Sequence, residues 1–332
     1  MKRLLLLFAL LQALPVLGQM RPVPFAGGIP GKVQFQAIQM QRHQARTLLY
    51  REALEELRKN PAAADMAECG PGQSPAEGRC LARADPASAT GDAAAPTRRR
   101  LAVLIGNNAY AKPIPSLETP VADITRIADV LRSRFGYETR IVRDAGKTKI
   151  IETLNGVAAE ARPEDSVLLF YAGHGYLLEE VRMGYWIPVD ASVKTAQGWI
   201  SNSDISKLLT AIRARQLILV SDSCYSGTLT TEQKVAAGTD LRPENILRRR
   251  SVTVFSSGAD EPVSDEGKDG HSIFAWNLIR TLERSGGLTP GTEIWNTVRK
   301  GVSDEYPQQP QYGAVVSAGH VEGGDFLFQR VP

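Results

Sequence analysis

Two short stretches carry residue types from which a hydrolytic site can be built, and each follows an apolar run. They are Tyr171-Ala172-Gly173-His174-Gly175 and Asp222-Ser223-Cys224-Tyr225-Ser226-Gly227, with His174 and Cys224 50 residues apart. A thiol is mostly protonated at neutral pH, and a neighbouring imidazole lowers its pKa and holds the thiolate ready as a nucleophile. The imidazolium then gives its proton to a leaving amine. Gly175 has no side chain, so its backbone N–H can approach a developing oxyanion, with a second N–H from Cys224 itself. A lone His more often fills a structural role, and a lone Cys packs as a small hydrophobe. Here both stand among glycines just past apolar strands, which suits exposed reacting groups. No residue type or spacing marks a third group to orient the imidazole.

The surrounding pattern supplies the elements that must position them. Apolar strands are expected over 101–105, 139–142, 167–171, 217–220 and 252–255. Helical spacing appears at Ile124, Ile127, Ala128, Leu131 and Phe135, then at Ile151, Leu154 and Val157 behind a Thr148 cap. Further helices are expected after Ser203, through Ile205, Leu208, Leu209 and Ile212, and over 273–282. Strands alternating with helices imply a mostly parallel sheet with helices on both faces, and reacting groups beyond the carboxyl ends of its strands. Gly106-Asn107-Asn108 ends the first of these strands.

Residues 1–18 read as a secretory signal peptide: Lys2 and Arg3, an apolar run too short to span a bilayer, and small residues up to Gly18. The expectation is an exported protein, periplasmic or extracellular, with no membrane association after signal removal. The net charge of +3 drops by two when Lys2 and Arg3 leave, so charge gives no argument for nucleic acid. Residues 19–100 combine an amphipathic helix over 33–59 with a linker over 60–96 rich in Ala, Gly, Pro, Ser and Asp. Of three cysteines, Cys69 and Cys80 either close a loop in an oxidising compartment, worth about 3 kcal/mol, or stand as two free thiols. Cys224 is the odd one out. The four histidines have no zinc-site spacing.

From Leu101 onward, landmarks occur in an order that resembles the caspase-like domain of bacterial metacaspase-type peptidases. They are Ala102-Val103-Leu104-Ile105-Gly106, Pro120-Val121-Ala122-Asp123, the His174 and Cys224 motifs, Trp186-Ile187-Pro188-Val189-Asp190, Phe255-Ser256-Ser257-Gly258 and Gln308-Gln309-Pro310. The resemblance implies an α/β caspase-like three-layer sandwich over 101–330. It also implies a cysteine endopeptidase acting on a peptide or protein substrate, with His174 and Cys224 catalytic and Gly175 at the oxyanion. The segment is not the Gln-Ala-Cys form of animal caspases, so cleavage after aspartate is not implied. Tyr225 and Ala172 stand where metacaspases often carry His and Ser. The Gly-x-Ser-x-Gly elbow of a serine hydrolase is missing around Ser223 and Ser226. A catalytically silent caspase-fold binding module is the alternative reading.

Three further expectations follow from the resemblance. Asp222 lies two residues before the nucleophile and so points to the same side of an extended strand end, while Asp123 opens the helix after the first strand. The matching metacaspase acids resemble a clamp on a substrate Arg or Lys; alone, Asp123 reads as a helix N-terminal acid and Asp222 as a strand-end acceptor. No cofactor and no metal is expected, because the places matching calcium-binding aspartates are Met183, Asn202, Ser203 and Thr231. Self-cleavage is expected near Arg98-Arg99-Arg100 or Arg248-Arg249-Arg250, read as basic runs in open linkers.

Overall fold

The computed structural model describes residues 73–76, 79–82, 99–178, 183–223, 233–235, 243–258, 267–306 and 308–332. Its main sheet has seven strands: β1 (Arg100–Gly106), β2 (Glu138–Arg143), β3 (Ser166–Ala172), β4 (Gln216–Asp222), β5 (Gln233–Lys234), β6 (Ser251–Ser256) and β7 (Gln311–Ala314). Their spatial order is β5-β7-β6-β4-β3-β1-β2. The pairs from β6 through β4, β3 and β1 to β2 are parallel; β7 runs antiparallel to β6, and β5 antiparallel to β7.

Among the described residues, six α-helices accompany it: α1 (Pro120–Phe135), α2 (Lys147–Glu160), α3 (Asn202–Ala211), α4 (Pro243–Arg248), α5 (Ile273–Arg284) and α6 (Gly291–Ser303). Alternation along the strands sorts the core onto two faces. Ala102, Leu104, Leu168, Phe170, Ile218 and Val220 pack with α1, α5 and α6. Leu101, Val103, Ile105, Val167, Leu169, Leu217 and Leu219 pack with α2 and α3. This is the three-layer α/β sandwich expected. The central strands β3 and β4 are buried at every residue, as continuous apolar runs demand when both faces are covered. Edge strand β2 is half-exposed and carries Arg140, which pairs with Glu138 and Glu160.

Several local expectations need correction. The cap of α2 is Gly146 rather than Thr148, and the Lys147 N–H donates to the Asp190 carboxylate at 3.0 Å. A Cβ on Gly146 would lie 2.3 Å from that carboxylate, so a cap from a distant loop displaces the local one. Within the stretch read as linker, Gln73–Ala76 pairs with Arg79–Ala82 as a hairpin, with Pro75 opposite Cys80. The expected helix over 33–59 and Cys69 lie outside the described residues. Helices α4 and α6, strand β7 and a three-stranded sheet of Gly175–Leu178, Met183–Trp186 and Ile200–Ser201 had no counterpart in the sequence reading.

Candidate active site

His174 sits two residues past the end of β3, 8 % exposed. The loop between β1 and α1 holds it. Gly106 closes β1 because a Cβ there would meet Pro120 O at 2.7 Å, so its absence lets α1 start against the sheet. Asn107 then exchanges hydrogen bonds with the Ala145 backbone, and the Asn108 side chain accepts from Val121 N and donates to Glu118 O. Asp144, at φ 48°, accepts from the N–H groups of Asn108 and Ala109. So fixed, the loop presents Tyr110 and Pro115.

The Pro115 carbonyl lies 2.8 Å from His174 Nε2. The Tyr110 hydroxyl accepts from the His174 backbone N–H at 2.9 Å, and the two rings are 4.6 Å apart. Burial pushes the Tyr110 phenol up, so it remains neutral. A carbonyl accepts only, so Nε2 carries a proton, and in the neutral ring the lone pair then stands on Nδ1. The orienting group that residue types could not reveal is therefore a backbone carbonyl. Gly175 opens the strand Gly175–Leu178, opposite Trp186.

The neighbouring strand delivers the second motif. Gly173 N donates to Asp222 O at 3.2 Å, joining the ends of β3 and β4. Ser223 is 1 % exposed, and its hydroxyl lies 3.0 Å from that of Ser221, which accepts from Trp186 Nε1. Trp186 stacks on Tyr171 at 4.1 Å. Cys224 follows Ser223 directly in the chain and lies outside the described residues.

The two acids expected to act together do converge, through a segment the sequence reading missed. His271 Nδ1 donates to Asp123 Oδ1 at 2.7 Å. Ser272 N donates to Asp123 Oδ2 at 3.3 Å, and its hydroxyl donates to Asp222 Oδ2 at 2.6 Å. The Ser272 hydroxyl also accepts from Ala275 N, capping α5. Asp123 is 1 % exposed, and burial pushes its carboxyl above the usual range against the hydrogen bonds from His271, Ser272 and Thr119. The signal available beforehand was His271-Ser272 standing directly before an apolar helix, where Ser272 reads as a cap.

The remaining expected positions are scattered in role. Met183 lies in the strand Met183–Trp186 and Asn202 opens α3, while Thr231 is outside the described residues. The basic runs are not open linkers where they are described. Arg99 pairs with Glu138 and Glu160, and Arg100 begins β1 and donates to Phe135 O and to the Gln329 side chain. Arg249 donates to Gly323 O, and Arg250 to Ala214 O, Ile212 O and Ala318 O. Backbone carbonyls and neighbouring carboxylates capture these guanidinium groups in the folded domain.

Fold and site together define a three-layer α/β protein whose polar groups gather at the carboxyl edge of a parallel sheet. A family model of the caspase domain matches residues 99–317, and the chain belongs to that peptidase family. Metacaspase-1B of Aspergillus fumigatus is 26% identical over 70% of this chain and 72% of its own length. Metacaspase-1B of Aspergillus oryzae is 24% identical over 78% and 77%. Metacaspase-9 of Arabidopsis thaliana is 24% identical over 45% of this chain, and the match spans 50% of that relative. These relatives are fungal and plant proteins, where the motifs had pointed to the bacterial type. A solved Geobacter sulfurreducens structure is similar at a TM-score of 0.48 and 16% identity, covering 69% of this chain and 99% of that one.

Proposed function

We propose that this protein is a cysteine endopeptidase in which His174 activates Cys224 and the cut falls after Arg or Lys. The observation that carries the reading is the fixed imidazole: Nε2 is committed to the Pro115 carbonyl at 2.8 Å, at the end of the strand beside the one that leads into Cys224. Nδ1 then takes the thiol proton, and the thiolate attacks the scissile carbonyl. The imidazolium afterwards protonates the leaving amine, and a water hydrolyses the thioester. Backbone N–H groups of Gly175 and Cys224 stabilise the oxyanion. Asp123 and Asp222 supply the negative charge that meets the substrate cation, in surroundings dry enough for that charge to count.

The reading extends to the whole chain as a signal peptide over 1–18, a helical and linker segment over 19–100, a peptidase domain over 101–330, and export from the cytoplasm. A Cys69–Cys80 bridge suits that destination. The substrate is a peptide or protein, and no cofactor or nucleic acid takes part.

The test uses fluorogenic peptides ending in Arg and in Asp, with the wild type, Cys224→Ala, His174→Ala and Asp222→Ala. Both dyad variants should lose at least about 10³-fold in kcat/KM while keeping the wild-type melting curve. The Arg peptide should be preferred, and that preference should fall in Asp222→Ala. Full activity in Cys224→Ala would overturn the dyad, and a wild type inert toward all peptides and thiol-directed labels would make the fold a binding module.

A further inference from the structure

We infer that Ser257 is a specificity-determining residue: its buried hydroxyl, beside Asp222, accepts a hydrogen bond from the substrate's Arg or Lys. The inference rests on the reading of Asp123 and Asp222 as the pair that meets a basic side chain. It goes further by naming the neutral acceptor that completes their set.

Two motifs that the dyad does not use, Phe255-Ser256-Ser257-Gly258 and Gln308-Gln309-Pro310, meet at this point. Strand β6 runs parallel to β4 with Ser256 opposite Ser221, and the Ser257 N–H donates to Ser221 O at 3.0 Å as the last rung of that ladder. Gln308 Nε2 donates to Ser257 O at 2.6 Å. Both backbone groups of Ser257 are therefore engaged, and the residue lies level with Asp222. Alternation along the strands sets its face. Val220 and Phe255 belong to the core packed with α1 and α5, and they stand two residues before Asp222 and Ser257. Asp222 keeps to that face, where it accepts from the Ser272 hydroxyl at the start of α5. Ser221 points to the other face and accepts from Trp186 Nε1.

The Ser257 hydroxyl differs from its neighbours. Ser256 donates to Gly258 O, Ser272 to Asp222, and the hydroxyls of Ser221 and Ser223 lie 3.0 Å apart. Among the described residues the Ser257 hydroxyl has no hydrogen-bond partner, although the residue is 0% exposed. Burying a hydroxyl without a partner costs stability, and an alanine in its place would avoid that cost. Asp123 is 1% and Asp222 7% exposed, so the three groups lie at one dry depth, where a long side chain is needed to reach them. A guanidinium or ammonium only donates, and the serine oxygen accepts through its lone pairs while its proton rotates away. It does so without adding charge, whereas a third carboxylate would repel the first two. The arriving cation thus gives the hydroxyl the partner that the folded chain withholds.

The experiment compares the full-length wild type with Ser257→Ala. Three quantities are read: the melting temperature without ligand, kcat and KM on the Arg peptide, and the inhibition constant of butylguanidinium, which carries the cation without a peptide backbone. Removing an unpartnered hydroxyl should leave the melting temperature equal or higher. KM for the Arg peptide and the inhibition constant should each rise about tenfold, as for one hydrogen bond to a charged group, with kcat within about twofold. A purely structural serine would instead lower the melting temperature and leave the inhibition constant unmoved, and that result overturns the inference. A variant that matches the wild type in all three quantities overturns it as well. Either result leaves an Arg-cleaving enzyme in place. A wild type with no preference for the Arg peptide and no inhibition by butylguanidinium overturns the acid pair itself, and this inference with it.

Discussion

At the scale of single residues, the position of His174 depends on a crowded glycine. An ideal Cβ on Gly173 would lie 2.6 Å from the Tyr110 hydroxyl and 2.9 Å from that of Tyr171. Tyr110 OH accepts from His174 N, and Tyr171 OH donates to His174 O. Gly173→Ala must therefore shift one of the two groups that hold the backbone of His174. Displacements of about 1 Å at a reacting group cost on the order of a hundredfold in rate, whereas overpacking costs about 1–3 kcal/mol in stability. The variant should remain folded with kcat/KM reduced at least about tenfold on the Arg peptide, and wild-type activity would show that the Tyr110 contact is not needed. Residue types made His174, Asp123 and Asp222 legible, because a His, a Cys and two acids beside strand ends suggest a chemistry. Tyr110, Pro115 and His271 were not legible. Pro115 acts through a carbonyl that every residue possesses, and the other two are brought in by loop closures that Asn107, Asn108 and Gly267 determine in three dimensions.

At the scale of elements, apolar runs and helical spacing specify their own structure, so β1, β3, β4 and β6 and helices α1 and α5 could be read within a residue or two of their bounds. Elements that lean on distant partners could not. The first turn of α2 is completed by Asp190, from the loop between the second and third strands of the small three-stranded sheet, whose carboxylate accepts from Lys147 N beside the Gly146 cap. Strand β7, with Gln311, Gly313 and Ala314, has little strand propensity and exists because β6 offers it an edge. Its neighbourhood contains a titrating joint. His320 Nδ1 accepts from Val252 N at 3.2 Å, next to Val252 O, which accepts from Val315 N. Burial pushes the His320 pKa below its ordinary 6.5. The unfolded chain therefore takes up this proton more readily than the folded one. Stability is unaffected by His320 above about pH 6.5, and declines as pH falls from there toward the lower folded value. His320→Asn keeps an acceptor and cannot titrate. Between pH 7 and 5 the melting temperature of the wild type should fall further than that of the variant; equal slopes would remove His320 from the account.

At the scale of the whole molecule, the basic runs show how a sequence pattern can mislead when folding assigns its charges. Arg248-Arg249-Arg250 looks like a solvated site for a protease that cuts after arginine, yet α4 ends at Arg248 and β6 begins at Ser251. Between them, Arg250 donates to carbonyls at the end of α3, in the turn before β4 and near the C-terminal edge, at 2.7–3.2 Å. The segment 318–324 wraps over the pair: Val321 N donates to Arg250 O, Arg249 reaches Gly323 O, and Gly323 turns with φ 74°. A peptide bond can be cut only if several residues around it become extended in another active site, and here that requires opening β6 and the C-terminal segment together. The same holds at Arg99 and Arg100, which are tied to Glu138, Glu160 and Gln329. Intact-mass analysis of the active enzyme should therefore show no product ending at Arg99, Arg100, Arg249 or Arg250. Arg250→Ala leaves three carbonyls without their charged donor and should cost about 3 kcal/mol, lowering the melting temperature by several degrees and opening this region to trypsin. A wild-type product ending at Arg249 or Arg250, formed under conditions where the protein stays folded, would show that the segment releases its arginines far more readily than these contacts permit.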